Sequence, residues 1–170
     1  MSAQPSTDSR TSQRGEVPDI PQTGIERLEH TELAAEIEFL TARARSIGSG
    51  RANRMLADLD LKVRSYSVLS LACSGEHPSQ RELADFLSLD PSQIVALVDQ
   101  LEKRGAVTRE ADPRDRRSKV IAATPAGRRL YKAAAAVVRQ SEAQSMRRLS
   151  PAERETLRSL LHRVAFDNGD

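Results

Sequence analysis

Asp112-Pro113-Arg114-Asp115-Arg116-Arg117-Ser118 is a tight, arginine-rich turn whose surroundings decide the fold. On either side lie two short runs of extended character, residues 106–111 (AVTREA) and 119–123 (KVIAA). Pro113 presets a turn dihedral and carries no backbone N–H. The pattern predicts a β-hairpin with a basic tip. Three arginines on such a tip need a polyanion or a set of carboxylates to answer them. Asp115 and Arg117 are two apart and share a side of an extended rim, so Asp115 is placed to orient the Arg117 guanidinium by a charge-assisted bond. A hairpin this narrow can enter a DNA minor groove, where the negative potential draws guanidinium groups. Read alone, the same turn also fits a solvated loop with local Asp–Arg pairs.

What precedes the turn favours DNA. Ser79-Gln80-Arg81-Glu82 is a capping box ahead of a short helix carrying Leu83, Ala84 and Leu87. Asp90-Pro91-Ser92-Gln93 reads as a second box, with Asp90 as N-cap, Pro91 at the first helical position and Gln93 reaching back. Two capped helices joined by a short turn make a helix-turn-helix. In the second, residues 91–104, Ile94, Leu97, Val98 and Leu101 recur at i, i+3, i+4 and i+7 and face a core. The opposite face presents Ser92, Gln93, Val95, Ala96, Asp99, Gln100 and Lys103, and Gly105 closes the helix. Near its start that face is small and uncharged. Gln93 can pair with adenine, and Val95 or Ala96 can touch a thymine methyl.

Outward from this lobe the chain is helical. Leu33, Ile37, Leu40, Ala44 and Ile47 form a heptad-like stripe over residues 25–47, fitting either an ordinary core helix or a dimer helix. Gly48-Ser49-Gly50 is expected to break or kink it, with residues 51–60 resuming the helix. A helix over 61–74 offers Tyr66, Leu69, Leu71 and Ala72 to a core, with Gly75 as C-cap. Thr124-Pro125 starts a long helix reaching about Arg148, through the run Ala133–Ala136. Ser150-Pro151-Ala152-Glu153 boxes the last helix, whose Leu157, Leu160, Leu161 and Val164 form an apolar stripe. The long helix and the last helix have no obvious partner in a monomer except the N-terminal helix, so dimerisation through both termini is the economical expectation. The resulting division is a disordered tail (1–24), an N-terminal dimerisation helix (25–60), a winged helix-turn-helix lobe (61–124) and C-terminal dimerisation helices (125–170). The fold class is mainly α with one small β-hairpin.

Composition bounds the alternatives. The net charge is only +2, but residues 103–119 hold seven cations against three anions. One basic region on a nearly neutral chain implies a binding face. No apolar run approaches the roughly 20 residues that span a bilayer, so no membrane role is expected. The single cysteine, Cys73, excludes an intrachain disulfide and suits a reducing cytoplasm. Its place late in an apolar helix favours a buried small residue over a redox sensor. His30, His77 and His162 are scattered, without metal spacing. With no phosphate loop and no nucleophile elbow, neither an enzyme nor a cofactor is expected.

The blocks Leu83-Ala84-Asp85-Phe86-Leu87, Val98-Asp99-Gln100-Leu101-Glu102-Lys103-Arg104-Gly105, the basic turn at 112–118 and Thr124-Pro125-Ala126-Gly127, in this order, resemble the MarR family of winged-helix transcriptional regulators. The resemblance covers residues 28–166. It implies an obligate homodimer on double-stranded DNA, commonly a repressor on a pseudopalindromic operator. Helix 91–104 then lies in the major groove through Ser92, Gln93, Val95, Ala96 and Gln100. The wing contributes Arg114, Asp115, Arg116, Arg117 and Lys119, and the start of the preceding helix Ser79, Gln80 and Arg81. Leu33, Ile37, Leu40, Leu157, Leu160, Leu161 and Val164 fall to the dimer contact. Where the family often carries Thr or Ser and a basic residue on the reading face, this chain has Val95 and Ala96. The resemblance also implies a small aromatic or lipophilic effector in a crevice between the dimer helices and the DNA-binding lobe, with Tyr66, Phe39 and Arg43 as candidate lining. A competing reading keeps the winged-helix dimer but makes it a protein–protein interaction module; three arginines on one wing tip weigh against it.

Overall fold

The computed structural model describes residues 24–112, 115 and 117–166. The predicted tail, apart from Gly24, lies outside them, as do Pro113, Arg114 and Arg116. Among the described residues there are seven α-helices and one hairpin: α1 (Gly24–Leu28), α2 (Ile37–Leu56), α3 (Val63–Cys73), α4 (Gln80–Leu87), α5 (Pro91–Lys103), β1 (Val107–Ala111), β2 (Lys119–Ala123), α6 (Pro125–Ser145) and α7 (Pro151–Phe166). The chain divides into two compact units, one ending at Leu40 and one beginning at Thr41.

The first unit departs from the expected single heptad helix. α1 is five residues long, a 3-10 turn covers Glu32–Ala35, and α2 starts only at Ile37. None of its residues in α1 or the 3-10 turn is buried.

The expected break at Gly48-Ser49-Gly50 is absent, and α2 runs through it without interruption. Each interior glycine costs about 1 kcal/mol relative to alanine. Anchoring beyond the glycines opposes that cost. Ala52 and Leu56 are buried, Arg51 donates to the Ser145 hydroxyl of α6 at 2.8 Å, and Asn53 accepts from the Val63 N–H at 2.8 Å.

The core of the second unit gathers Leu56, Val68, Leu69, Leu83, Ile94, Val98, Leu101, Val107, Ile121 and Ala134. Ile94, Val98 and Leu101 are the apolar stripe predicted for α5; Leu97 stays half-buried. Ala134 and Ala135 from the alanine run are buried, where small side chains let helices approach closely. The α6 helix ends three residues before the predicted Arg148. Tyr66 stacks on Tyr131 of α6 with centroids 5.9 Å apart.

The hairpin is antiparallel, in the register Val107↔Ala123, Arg109↔Ile121 and Ala111↔Lys119. It is tied into the lobe on its far edge as well, because the Ile121 N–H donates to the Pro78 carbonyl at 2.8 Å. Gly105 leaves α5 at φ +66 and Gly75 leaves α3 at φ +89, the left-handed exits that favour glycine.

Candidate nucleic-acid interface and effector cleft

The helix pair is set by its caps. The Ser79 hydroxyl accepts from the Glu82 N–H, and the Glu82 carboxylate accepts from the Ser79 N–H at 2.7 Å, so the first box is complete. Ser88 ends α4 in the left-handed region, and the Leu89 N–H returns to the Ala84 carbonyl at 3.0 Å. Asp90 then caps α5 by accepting from the Ser92 N–H at 2.7 Å. Hydrogen bonds from the Ser92 hydroxyl and N–H hold the Asp90 carboxyl below its ordinary range.

The second box is not completed by Gln93. Its side-chain oxygen accepts instead from Arg64 Nη1 of α3, at 3.4 Å.

The structure exposes Ser92, Gln93, Val95, Ala96 and Gln100 together on one side of α5, with Val95 41% exposed. Ser79 and Gln80 are half-buried at the start of α4, and Arg81 is exposed with its guanidinium 3.9 Å from Asp85. Of the predicted wing residues, Asp115, Arg117 and Lys119 are exposed, while Arg114 and Arg116 lie outside the described residues.

Asp115 braces the turn differently from expectation. Its carboxylate accepts from the Arg117 backbone N–H at 3.0 Å and from the Ser118 hydroxyl at 3.2 Å. The Asp112 N–H donates to the Ser118 carbonyl at 2.9 Å, closing the base of the turn. The aspartate at 115 therefore shapes backbone as an Asx-type turn does.

Arg109, Arg104 and Gly127 have structural roles that local sequence pattern does not show. Arg109, on β1, donates from Nε to the Gln80 side-chain oxygen of α4 at 3.0 Å. Its Nη atoms reach Asp99 and Glu102 of α5, and its own N–H donates to Glu102 at 3.2 Å. One guanidinium thus joins wing, reading helix and the helix before it. The hydrogen bond to Asp99, then the Glu102 charge, holds its proton more firmly than usual. The available signal is the acidic pair Asp99 and Glu102, three apart on one helix flank.

Arg104 turns away from the wing and donates to the Leu59 and Asp60 carbonyls at 3.0 and 2.7 Å, beside the left-handed Asp60. Gly127 packs its backbone against Ala106. A Cβ there would lie 1.8 Å from the Ala106 oxygen.

A cleft of about 1170 Å³ opens between α2, the start of α3 and the helix pair. Leu61, Val63, Leu87, Leu89 and Leu97 line one part of it, and Arg45, Lys62 and Arg64 supply cations. Among the described residues Asp60 is the one acid lining it, and its carboxylate lies 3.9 Å from Arg104. Ser46, Ser49 and Gly50 keep the α2 wall low, which gives the glycine stretch a use without a helix break. On this cleft α2 presents Ala42, Arg45, Ser46, Ser49, Gly50 and Asn53, and Tyr66 stacks on Tyr131 of α6.

Burial pushes the half-buried Cys73 thiol up, against a smaller opposing effect of Arg128. That setting disfavours a reactive thiolate.

Two capped helices and a hairpin folded back beside them form a winged helix-turn-helix, the lobe of a DNA-binding regulator. The model of the MarR family matches residues 62–119. A transcriptional regulatory protein named for the hcr operon of Thauera aromatica is 33% identical over 142 residues, covering 82% of this chain and 85% of that relative. Among solved structures, CouR from Rhodococcus jostii RHA1, bound to p-coumaroyl-CoA, is 42% identical with a TM-score of 0.75, across 82% of this chain and 99% of its own. Rv2887 of Mycobacterium tuberculosis, solved in complex with DNA, is 25% identical with a TM-score of 0.63, across 76% and 97%. The chain belongs to the MarR family of DNA-binding transcriptional regulators. Among the described residues, no helix is long and apolar enough to cross a membrane.

Proposed function

We propose that this chain is a ligand-responsive repressor that binds a pseudopalindromic operator as a homodimer. The observation that carries this reading is the uncharged, exposed start of α5, on a helix that Arg109 ties to the wing strand β1 through Asp99 and Glu102. In the proposed complex α5 enters the major groove. Ser92, Gln93, Val95, Ala96 and Gln100 face base edges there. Ser79, Gln80 and Arg81 meet the phosphates at the start of α4; the Gln80 oxygen is engaged by Arg109, so its amide N–H groups are what it offers. Arg117 enters the minor groove, with Arg114, Arg116 and Lys119 on phosphates and Asp115 fixing the turn.

Self-association is supported by apolar surface. Leu33, Ile37 and Leu40 are exposed, as are Leu160, Leu161 and Val164. The 16-residue α7 has no buried residue, and isolated helices of about this length are marginal in water. A second copy of the chain, meeting residues 25–60 and 125–170, would bury these stripes. Two-fold symmetry then sets half-sites about 10 bp apart.

The effector is proposed to be an anionic amphiphile. The cleft pairs leucine side chains with three cations, and CouR, at 42% identity, was solved with an acyl-CoA thioester.

Arg117→Ala tests the wing. Fluorescence titrations against operator, selected from a random pool, should show weaker binding and a salt slope reduced by roughly one unit. Unchanged affinity and slope would remove Arg117 from the interface.

A further inference from the structure

We infer that Arg64 links the effector cleft to base reading: it lines the cleft and holds Gln93, and an anion bound in the cleft takes its guanidinium and releases the glutamine. The inference rests on the proposed reading of the cleft and of α5.

Arg64 sits in the first turn of α3 and Gln93 in the first turn of α5. The Nη1 donor reaches the Gln93 oxygen at 3.4 Å, and both residues are exposed. While that oxygen accepts from Arg64, the amide turns its N–H groups outward. The side chain then seeks acceptors, such as a purine N7. Full adenine recognition also uses the glutamine oxygen, so losing Arg64 changes what Gln93 asks of a base.

The contact is easily displaced. A neutral amide is a poor rival to an anion, since an anion adds charge–charge attraction and guanidinium matches carboxylate or phosphate in two-pronged geometry. Arg45 and Lys62 on the same cleft help gather the anion, and Asp60, the acid there, lies near Arg104. Leu97 and Gln100, further along α5, also border the cleft, so an occupant meets the reading helix directly as well as through Arg64.

Two measurements decide the point. In the first, operators are selected from a random pool by wild type, Arg64→Ala, Gln93→Ala and the double variant. Arg64→Ala and Gln93→Ala should alter preference at the same position of each half-site, and the double variant should add nothing to Gln93→Ala. Shifts at different positions, or additive losses, would overturn the link. So would an Arg64→Ala that binds operator and random DNA equally less well with its preference intact, since that describes a simple phosphate contact.

In the second, p-coumaroyl-CoA is the probe. It should raise the melting temperature of both wild type and Arg64→Ala, but release operator from wild type at least tenfold more effectively. Equal release from both would sink the proposal. Absence of any melting shift or release in wild type would instead overturn the effector assignment and its release step, leaving the selection experiment to decide the Arg64–Gln93 coupling alone.

Discussion

Gly127→Ala is expected to lower stability by about 3 kcal/mol or more, at the upper end of the usual cost of overpacking. The reason is a collision with backbone. The added Cβ falls 1.8 Å from the Ala106 oxygen and 2.8 Å from its carbonyl carbon. That carbonyl cannot swing aside cheaply, since the Thr124 N–H holds it at 3.1 Å and the Thr124 hydroxyl pins the preceding Gly105 carbonyl at 2.6 Å. The same hydroxyl caps α6 by accepting from the Gly127 N–H at 3.0 Å. Relief requires moving α6 away from the start of the wing, which undoes the cap and the strand entry together. For a chain of this size the loss corresponds to a fall in melting temperature of roughly 6–12 °C, readable by circular dichroism. Gly48→Ala is the matched control. It sits inside α2 with nothing within 4 Å of the added methyl, and is expected to stabilise by up to about 1 kcal/mol. Two substitutions of the same chemistry should therefore shift melting in opposite directions. A Gly127→Ala protein that melts with wild type would mean that this close approach is not needed.

The contrast between these glycines shows what a sequence exposes and what it hides. Caps, turns and short periodic stripes are local, so Ser79, Asp90, Thr124 and the strands around 112–118 are legible in the sequence. The order of those elements was enough to reach the winged helix. Gly48-Ser49-Gly50 misled because local propensity argued for a break, whereas contacts further along the chain, at Arg51, Ala52, Asn53 and Leu56, sustain the helix. Gln93 misled in the same way: the box pattern was present, but a cation from α3 took the side chain. Asp115 was rightly drawn into the turn, yet its bonds go to the Arg117 backbone and the Ser118 hydroxyl. The cleft lining was not legible, since it depends on which side of α2 meets the lobe and on Tyr66 finding Tyr131.

Arg109→Ala is expected to weaken operator binding by tenfold or more while costing only about 1–2 kcal/mol of stability, the range for a few partly exposed hydrogen bonds and ion pairs. Its side chain is 26% exposed, and its carboxylate partners are more exposed still, so most of its ionic contribution is screened by water. Its larger effect is geometric. The wing strand, α5 and α4 each contribute one end of the network through Arg109, Asp99 and Glu102, and Gln80. A dimer that must meet two grooves at once in each half-site needs those parts in fixed relation. Loss of the guanidinium frees the hairpin to pivot and leaves Asp99 and Glu102 as a pair of uncompensated charges on the helix proposed to face DNA. Arg109→Lys separates these effects. It keeps the charge but, as a compact ammonium, cannot span the three side-chain acceptors in the same planar arrangement. It should restore melting better than it restores operator affinity. Asp99→Asn in the Arg109→Ala background removes part of the repulsion without rebuilding the brace, so it should recover nonspecific DNA binding more than operator selectivity. Should Arg109→Ala bind operator as wild type does, with the same footprint on wing and helix positions, the brace would have no part in recognition, and strand register, the Ile121–Pro78 bond and the core packing of Val107 and Ile121 would suffice to hold the hairpin.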